Sequence, residues 1–164
     1  MVGVALMFTG AVLLANGLAL MGQVEARSCA AINLFVGGLD LVVALQAGFT
    51  GDTFTMGKVL LFGFTYLWLA YNSLMRVEDA RAFGWYCAVV AVLAFPTAAI
   101  TFSDGSEWFG AFWLIWGALW LLFFVMLGLG IKGMDMFAGL VTVAIGVGTA
   151  LVPGYLMVAG KWAG

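Results

Sequence analysis

Histidine is absent from this chain of 164 residues, which removes the commonest general base, the commonest metal ligand and the usual pH sensor. Charge is scarce too: Lys, Arg, Asp and Glu make up 9% of the residues, against roughly 25% in a soluble domain. The net charge is -2 and no basic run occurs, so nucleic acid is excluded as a partner. The two cysteines, Cys29 and Cys87, sit in separate apolar stretches without a CxxC or a disulfide framework. They read as buried thiols packing as small hydrophobes. No nucleophile–base pair, HExxH, phosphate-cradling glycine loop or metal-spaced cluster occurs. The chain therefore does not read as an enzyme and calls for no cofactor or metal.

What is present is apolar. Hydrophobic residues make up 65% of the sequence, in runs of the length a bilayer requires, about 20 residues each. Six spanning helices are predicted over 2–21, 28–49, 58–75, 83–102, 108–129 and 136–159. With only short polar loops between them, the reading is an all-α integral membrane protein made of one six-helix domain. The first run follows the initiator Met without a basic n-region and reads as a retained helix rather than a signal peptide. Gly3, Gly10 and Gly17 recur every seven residues, a smooth stripe for close approach of another helix. Pro96 and Pro153 each fall in the last third of a span and are expected to kink it. The loops after the first, third and fifth spans carry Arg27, Arg76, Arg81 and Lys132, against Lys58 and Lys161 on the other side. That bias predicts those three loops in the cytoplasm and both termini outside.

The densest feature is WFGAFWLIWGALW, Trp108 to Trp120. On a helix Phe109, Trp113, Trp116 and Trp120 share one face, while Phe112, Leu114, Ile115 and Leu119 make the rest apolar. Flat rings and indole N–H donors without a titratable group suit the passage of a small, neutral, polar solute better than ions or bond-breaking chemistry. A second aromatic stripe, Phe64, Trp68 and Tyr71 or Asn72 in the third span, would form a slot if it faced the first. Leu6, Thr9, Leu13 and Asn16 form an apolar face of the first span with two small polar groups. Asp40 is the one carboxylate well inside a span. An acid at a helix centre costs about 2.5–3.5 kcal/mol on insertion scales. Asp40 therefore reads either as a hydrogen-bonding partner of Asn33, Asn16 or a Trp N–H, or as a cation or proton site on a pathway.

Asn16–Gly17, INLFVGGL at Ile32–Leu39, LLFGFTYLW at Leu60–Trp68, WLIWGALWL at Trp113–Leu121 and VPGY at Val152–Tyr155 together closely resemble the AmiS/UreI amide and urea channels. The likeness runs along essentially the whole chain. It implies a six-helix protomer with its own pore, assembled as a homo-hexameric ring among membrane lipids. The implied cargo is urea or short aliphatic amides such as acetamide, often beside a cytoplasmic urease or amidase. The implied setting is a bacterial-type inner membrane with both termini outside. By motif match, Leu6, Thr9 and Leu13, Phe64 and Trp68, and Trp113, Trp116, Leu119 and Trp120 line the constrictions. Indole N–H groups, Thr9 and Asn16 would replace water around the solute. Acid-gated members of the family carry a long His-bearing outer loop between spans two and three and an acidic residue in span six. Here the loop is short, His is absent, and span six reads Ala144-Ile145-Gly146. The expectation is a passive channel without acid gating, with a proton-coupled transporter using Asp40 as the rival. Asp40 itself departs from the resemblance, which leads one to expect a small hydroxyl residue there.

Overall fold

A computed structural model describes residues 1–163. Inside a bilayer every backbone N–H and C=O must be satisfied within its own segment, so long apolar runs become helices. Among the described residues six such helices form: α1 Val2–Leu20, α2 Ala30–Phe49, α3 Thr53–Met75, α4 Arg81–Ser103, α5 Glu107–Gly128 and α6 Asp135–Val158. At 19 to 24 residues and about 1.5 Å per residue, they run about 28 to 36 Å, the scale of a hydrocarbon core of about 30 Å. The six-helix expectation holds.

One boundary moves. Helix α3 begins at Thr53, not 58, because the Asp52 side chain accepts the Thr55 backbone N–H at 2.9 Å. A carboxylate in that position satisfies a donor that the first turn leaves orphaned. Gly51, at a φ of 84°, lets the chain reverse between α2 and α3 within the three residues Thr50 to Asp52.

The helices pack as three antiparallel pairs: α2 with α3, α4 with α5, and α1 with α6. The seven-residue glycine stripe of α1 is where α6 approaches. A methyl placed on Gly17 would lie 2.7 Å from the Gly139 carbonyl oxygen, and one on Gly10 would strike the Leu151 backbone. Helix α6 answers with Gly139, Gly146 and Gly154, spaced seven and then eight apart. The extra residue is absorbed by a π-helical turn over Gly146–Leu151, which returns Gly154 to the face it would otherwise have left. The two prolines sit in different local structure. The irregularity of α6 is this π turn just before Pro153, whereas α4 stays helical through Pro96 from Arg81 to Ser103. A second π turn, Phe124–Gly128, ends α5.

Candidate functional site

Two cavities lie end to end inside the bundle. The larger, about 250 Å³, runs from its centre toward the loops after α1, α3 and α5, where Ala26, Ala80 and Asp135 line it. The smaller, about 140 Å³, runs the other way, past Val2, Thr55, Lys58 and Phe109. A water molecule needs about 10–15 Å³ on such a measure, so each could hold several small molecules. Phe62 and Trp116 belong to both walls. Their rings meet edge to face, centroids 5.1 Å apart and planes at 89°, and form the partition.

The tryptophan stripe of α5 stands where its spacing put it. Trp113, Trp116, Leu119 and Trp120 are all buried, whereas Leu114 and Ile115 face outward. Trp113 walls the smaller cavity, Leu119 and Trp120 the larger, and Trp116 both. From α1, Leu6 and Thr9 reach the smaller cavity and Leu13 and Asn16 the larger. Those side chains gather as expected.

The third span does not. Phe64 is 47% exposed on the outside of the bundle and lines neither cavity. Trp68 also lines neither; it packs against Phe83 and Tyr86 of α4, centroids 5.8 and 5.5 Å away. The face of α3 turned inward is Phe62, Thr65, Tyr66 and Leu69. Phe62 is the hub, with Trp113, Trp116 and Trp120 at 5.7, 5.1 and 4.7 Å. The aromatic faces of α3 and α5 thus do meet, but through Phe62, and in direct ring contact rather than across an open slot. Two stripes of α3 carry aromatic residues at helical spacing, so spacing alone could not choose between them. The small polar residue Thr65 inside one stripe was the available signal, since it would be costly against lipid.

The hydrogen bonds decide which polar groups remain free. Asn16 and Asn33 pair reciprocally, amide nitrogen to amide oxygen, at 3.0 and 2.7 Å, and Asn33 also donates to the Cys29 carbonyl at 2.8 Å. The Trp116 indole N–H donates to the Thr149 hydroxyl at 2.8 Å, and Thr149, inside the π turn, donates to the Ile145 carbonyl at 2.7 Å. The Trp116 N–H is not left to replace water around a solute, as had been expected, whereas Asn16 keeps a second amide N–H beyond the one it gives to Asn33. Asp40 bonds to none of them. It is 1% exposed, lines the smaller cavity beside Thr9 and Lys58, and its Oδ2 has no hydrogen-bond partner. Among the described residues it takes part in no ion pair. The Lys58 ammonium instead stands 4.4 Å over the Phe54 ring, a cation–π arrangement. Cys29 and Cys87 are free, buried thiols. No group of His, Cys, Asp and Glu able to hold a metal occurs among the described residues.

A six-helix bundle with two aromatic-walled cavities end to end suits a membrane transporter or channel. The chain belongs to the AmiS/UreI family of transporters, which it matches over residues 1–161. It is 41% identical to a Mycolicibacterium smegmatis protein whose name gives it as a transporter of amidate substrates, over 98% of this chain and 78% of that one. It is 29% identical to an acid-activated urea channel of Helicobacter pylori, over 99% of this chain and all of the other. The structure of the Helicobacter pylori urea channel in its closed state superposes with a TM-score of 0.90 at 30% identity, covering 99% of this chain and all of that one. These relatives are transporters and channels, not enzymes.

Proposed function

We propose that this chain is a passive channel for small neutral amide-type solutes, urea and short aliphatic amides such as acetamide, and that it is not acid-gated. The observation that carries the reading is the pair of cavities meeting at one aromatic partition, Phe62 against Trp116. A planar amide can slide flat between rings, and a shift of these two side chains would join the cavities into one path. Apolar collars at Leu6, Leu13 and Leu119 repel hydrated ions, whose desolvation costs far more than that of a neutral amide. The named cargoes of the relatives, amidate substrates and urea, support the substrate class.

The absence of His and the three-residue connection between α2 and α3 support a channel without an acid sensor. The working assembly in this reading is a homo-hexameric ring of protomers, each with its own pore, in a bacterial inner membrane. Both termini lie outside, as the loop charges favour. The larger cavity then opens to the cytoplasm, where a urease or amidase would consume what enters.

Stopped-flow uptake of urea and acetamide into proteoliposomes, at neutral and mildly acidic pH, tests the proposal. Fast flux at both values with ions excluded is expected. Flux confined to acid would overturn the ungated reading, and no flux of either solute would overturn the channel itself. The rival, a proton-coupled transporter, draws on the buried Asp40 carboxyl and predicts uptake that follows an imposed pH gradient.

A further inference from the structure

We propose that Asp40 is a solute-binding residue of the smaller cavity, accepting a hydrogen bond from the N–H group of a urea or amide and so selecting for N–H-bearing cargo. The inference rests on the channel reading and adds to it the site at which the cargo is recognised.

Buried polar groups almost always have a partner, and leaving one bare costs about 1–3 kcal/mol, more for a charged group. Asp40 leaves Oδ2 without one although it is 1% exposed. The Asn and Trp donors expected to serve it are turned to other acceptors. Asn16 and Asn33 hold each other, and the Trp116 N–H is held by Thr149. The bundle nevertheless makes room for the carboxyl. Opposite it, α3 carries Gly63, where a methyl would come within 3.1 Å of the Asp40 Cβ. Asp40 shares the wall of the smaller cavity with Thr9, Thr55 and Lys58, and with the Trp113 and Trp116 rings as a flat side.

A planar amide lying on that wall turns its N–H edge outward, toward a carboxyl at the side. An ionised carboxylate can accept from both nitrogens of urea. A neutral carboxyl can pair reciprocally with a primary amide, as Asn16 and Asn33 pair here. Either form supplies an acceptor. A cargo without N–H leaves Asp40 bare, so the cost of an unpaired buried group falls on the wrong solute.

Water could also supply a donor, and the test separates the two occupants. Urea and acetamide flux is measured in proteoliposomes over a concentration series, alongside osmotic water permeability, for the parental protein, Asp40→Leu and Asp40→Asn. Asp40→Leu should raise the half-saturating concentration of both solutes roughly fivefold or more, the effect of one lost hydrogen bond, with water permeability kept. Asp40→Asn, which retains an acceptor oxygen, should stay within about twofold of the parent. Asp40→Ala serves with the same expectation if Asp40→Leu fails to assemble. Unchanged half-saturation, or a parallel fall in water and solute permeation, overturns the proposal in favour of a structural or water-filled site. Loss of all solute flux in Asp40→Asn overturns it in favour of a proton-carrying carboxyl. A parental protein that conducts neither solute fails at the channel reading instead, before any variant is compared.

Discussion

The two cavities share Phe62 and Trp116 yet treat their polar groups in opposite ways. In the deep wall of the larger one, polar side chains spend their hydrogen bonds within the protein. Asn16 is paired with Asn33, Thr65 donates to the Leu61 carbonyl at 2.7 Å, and Thr142 donates to the Ala138 carbonyl at 2.7 Å. A solute there meets a mostly apolar surface whose polar points are the Asn16 amide and Tyr66 inside and Asn72, Ser73 and Asp135 near the loops. The smaller cavity presents the unpartnered Asp40. In the channel reading proposed above, this difference would divide the labour between a polar end that recognises and an aromatic partition that rejects by size.

Removing the partition should break the comparison most severely. Trp116→Ala takes away ring contacts to Phe62, Trp113 and Phe112 at 5.1, 5.4 and 5.9 Å and leaves Thr149 without its donor. Truncating a buried Trp costs about 3–5 kcal/mol, so the midpoint of thermal unfolding should fall. The cavities would merge. Discrimination against a longer chain is about tenfold or more per methylene in a tight apolar site, and that margin should shrink. The flux ratio of butyramide to acetamide, read by stopped flow, checks it. A ratio equal to the parental one would mean that Trp116 does not set the width of the path.

The molecule was legible in the sequence where a single periodicity had one meaning. Six apolar runs became six helices because lipid leaves the backbone no alternative, and the Gly3, Gly10 and Gly17 stripe met α6 as its spacing required. The α5 stripe was readable because Trp113, Trp116 and Trp120 fall together on one face while Leu114, Ile115 and Leu121 take the outward one. Reading failed on α3, where Phe62 and Phe64 lie on different faces and both are aromatic. It failed again at the start of α3, placed at 58, although Asp52 before an apolar run is a helix cap. The π turn of α6 left only the change from seven to eight in its glycine spacing, a signal with no meaning until α1 is in place. The unpartnered state of Asp40 depends on which donors its neighbours have already spent, and no residue pattern records that.

A smaller effect sharpens the contrast from the other side. If the polar groups of the larger cavity are structural, Asn16→Leu should destabilise by about 1–3 kcal/mol, because it strands the Asn33 amide. Asn16→Leu with Asn33→Leu should cost less than the sum of the single changes, the mark of a direct pair. Half-saturation for urea should stay at the parental value in the double variant, unlike in Asp40→Leu. Unfolding in detergent and saturation curves on the same preparations give both numbers. Additive stabilities, or a shifted saturation curve, would blur the line between the two cavities.

The smallest effect belongs outside both cavities, at Asp79 in the loop after α3. Its carboxylate accepts from Arg81 Nε and Nη2 and from the Arg81 backbone N–H at the start of α4. Those hydrogen bonds hold the Asp79 carboxyl at about 2, below its ordinary value of 3.8. A carboxylate depressed by folding adds stability that is fully present above its unfolded value and is lost as pH falls through the folded one. The contribution is therefore constant between neutral pH and pH of about 5 and fades below about 4. The side chains are 58% and 70% exposed, so salt and water screen the pair and its weight is small. Asp79→Asn should leave solute flux unchanged at neutral and mildly acidic pH and flatten only the acid limb of the unfolding curve. A change of flux between those two pH values in Asp79→Asn would place an acid-sensitive element in this loop, on the face where the larger cavity opens, and would count directly against an ungated channel.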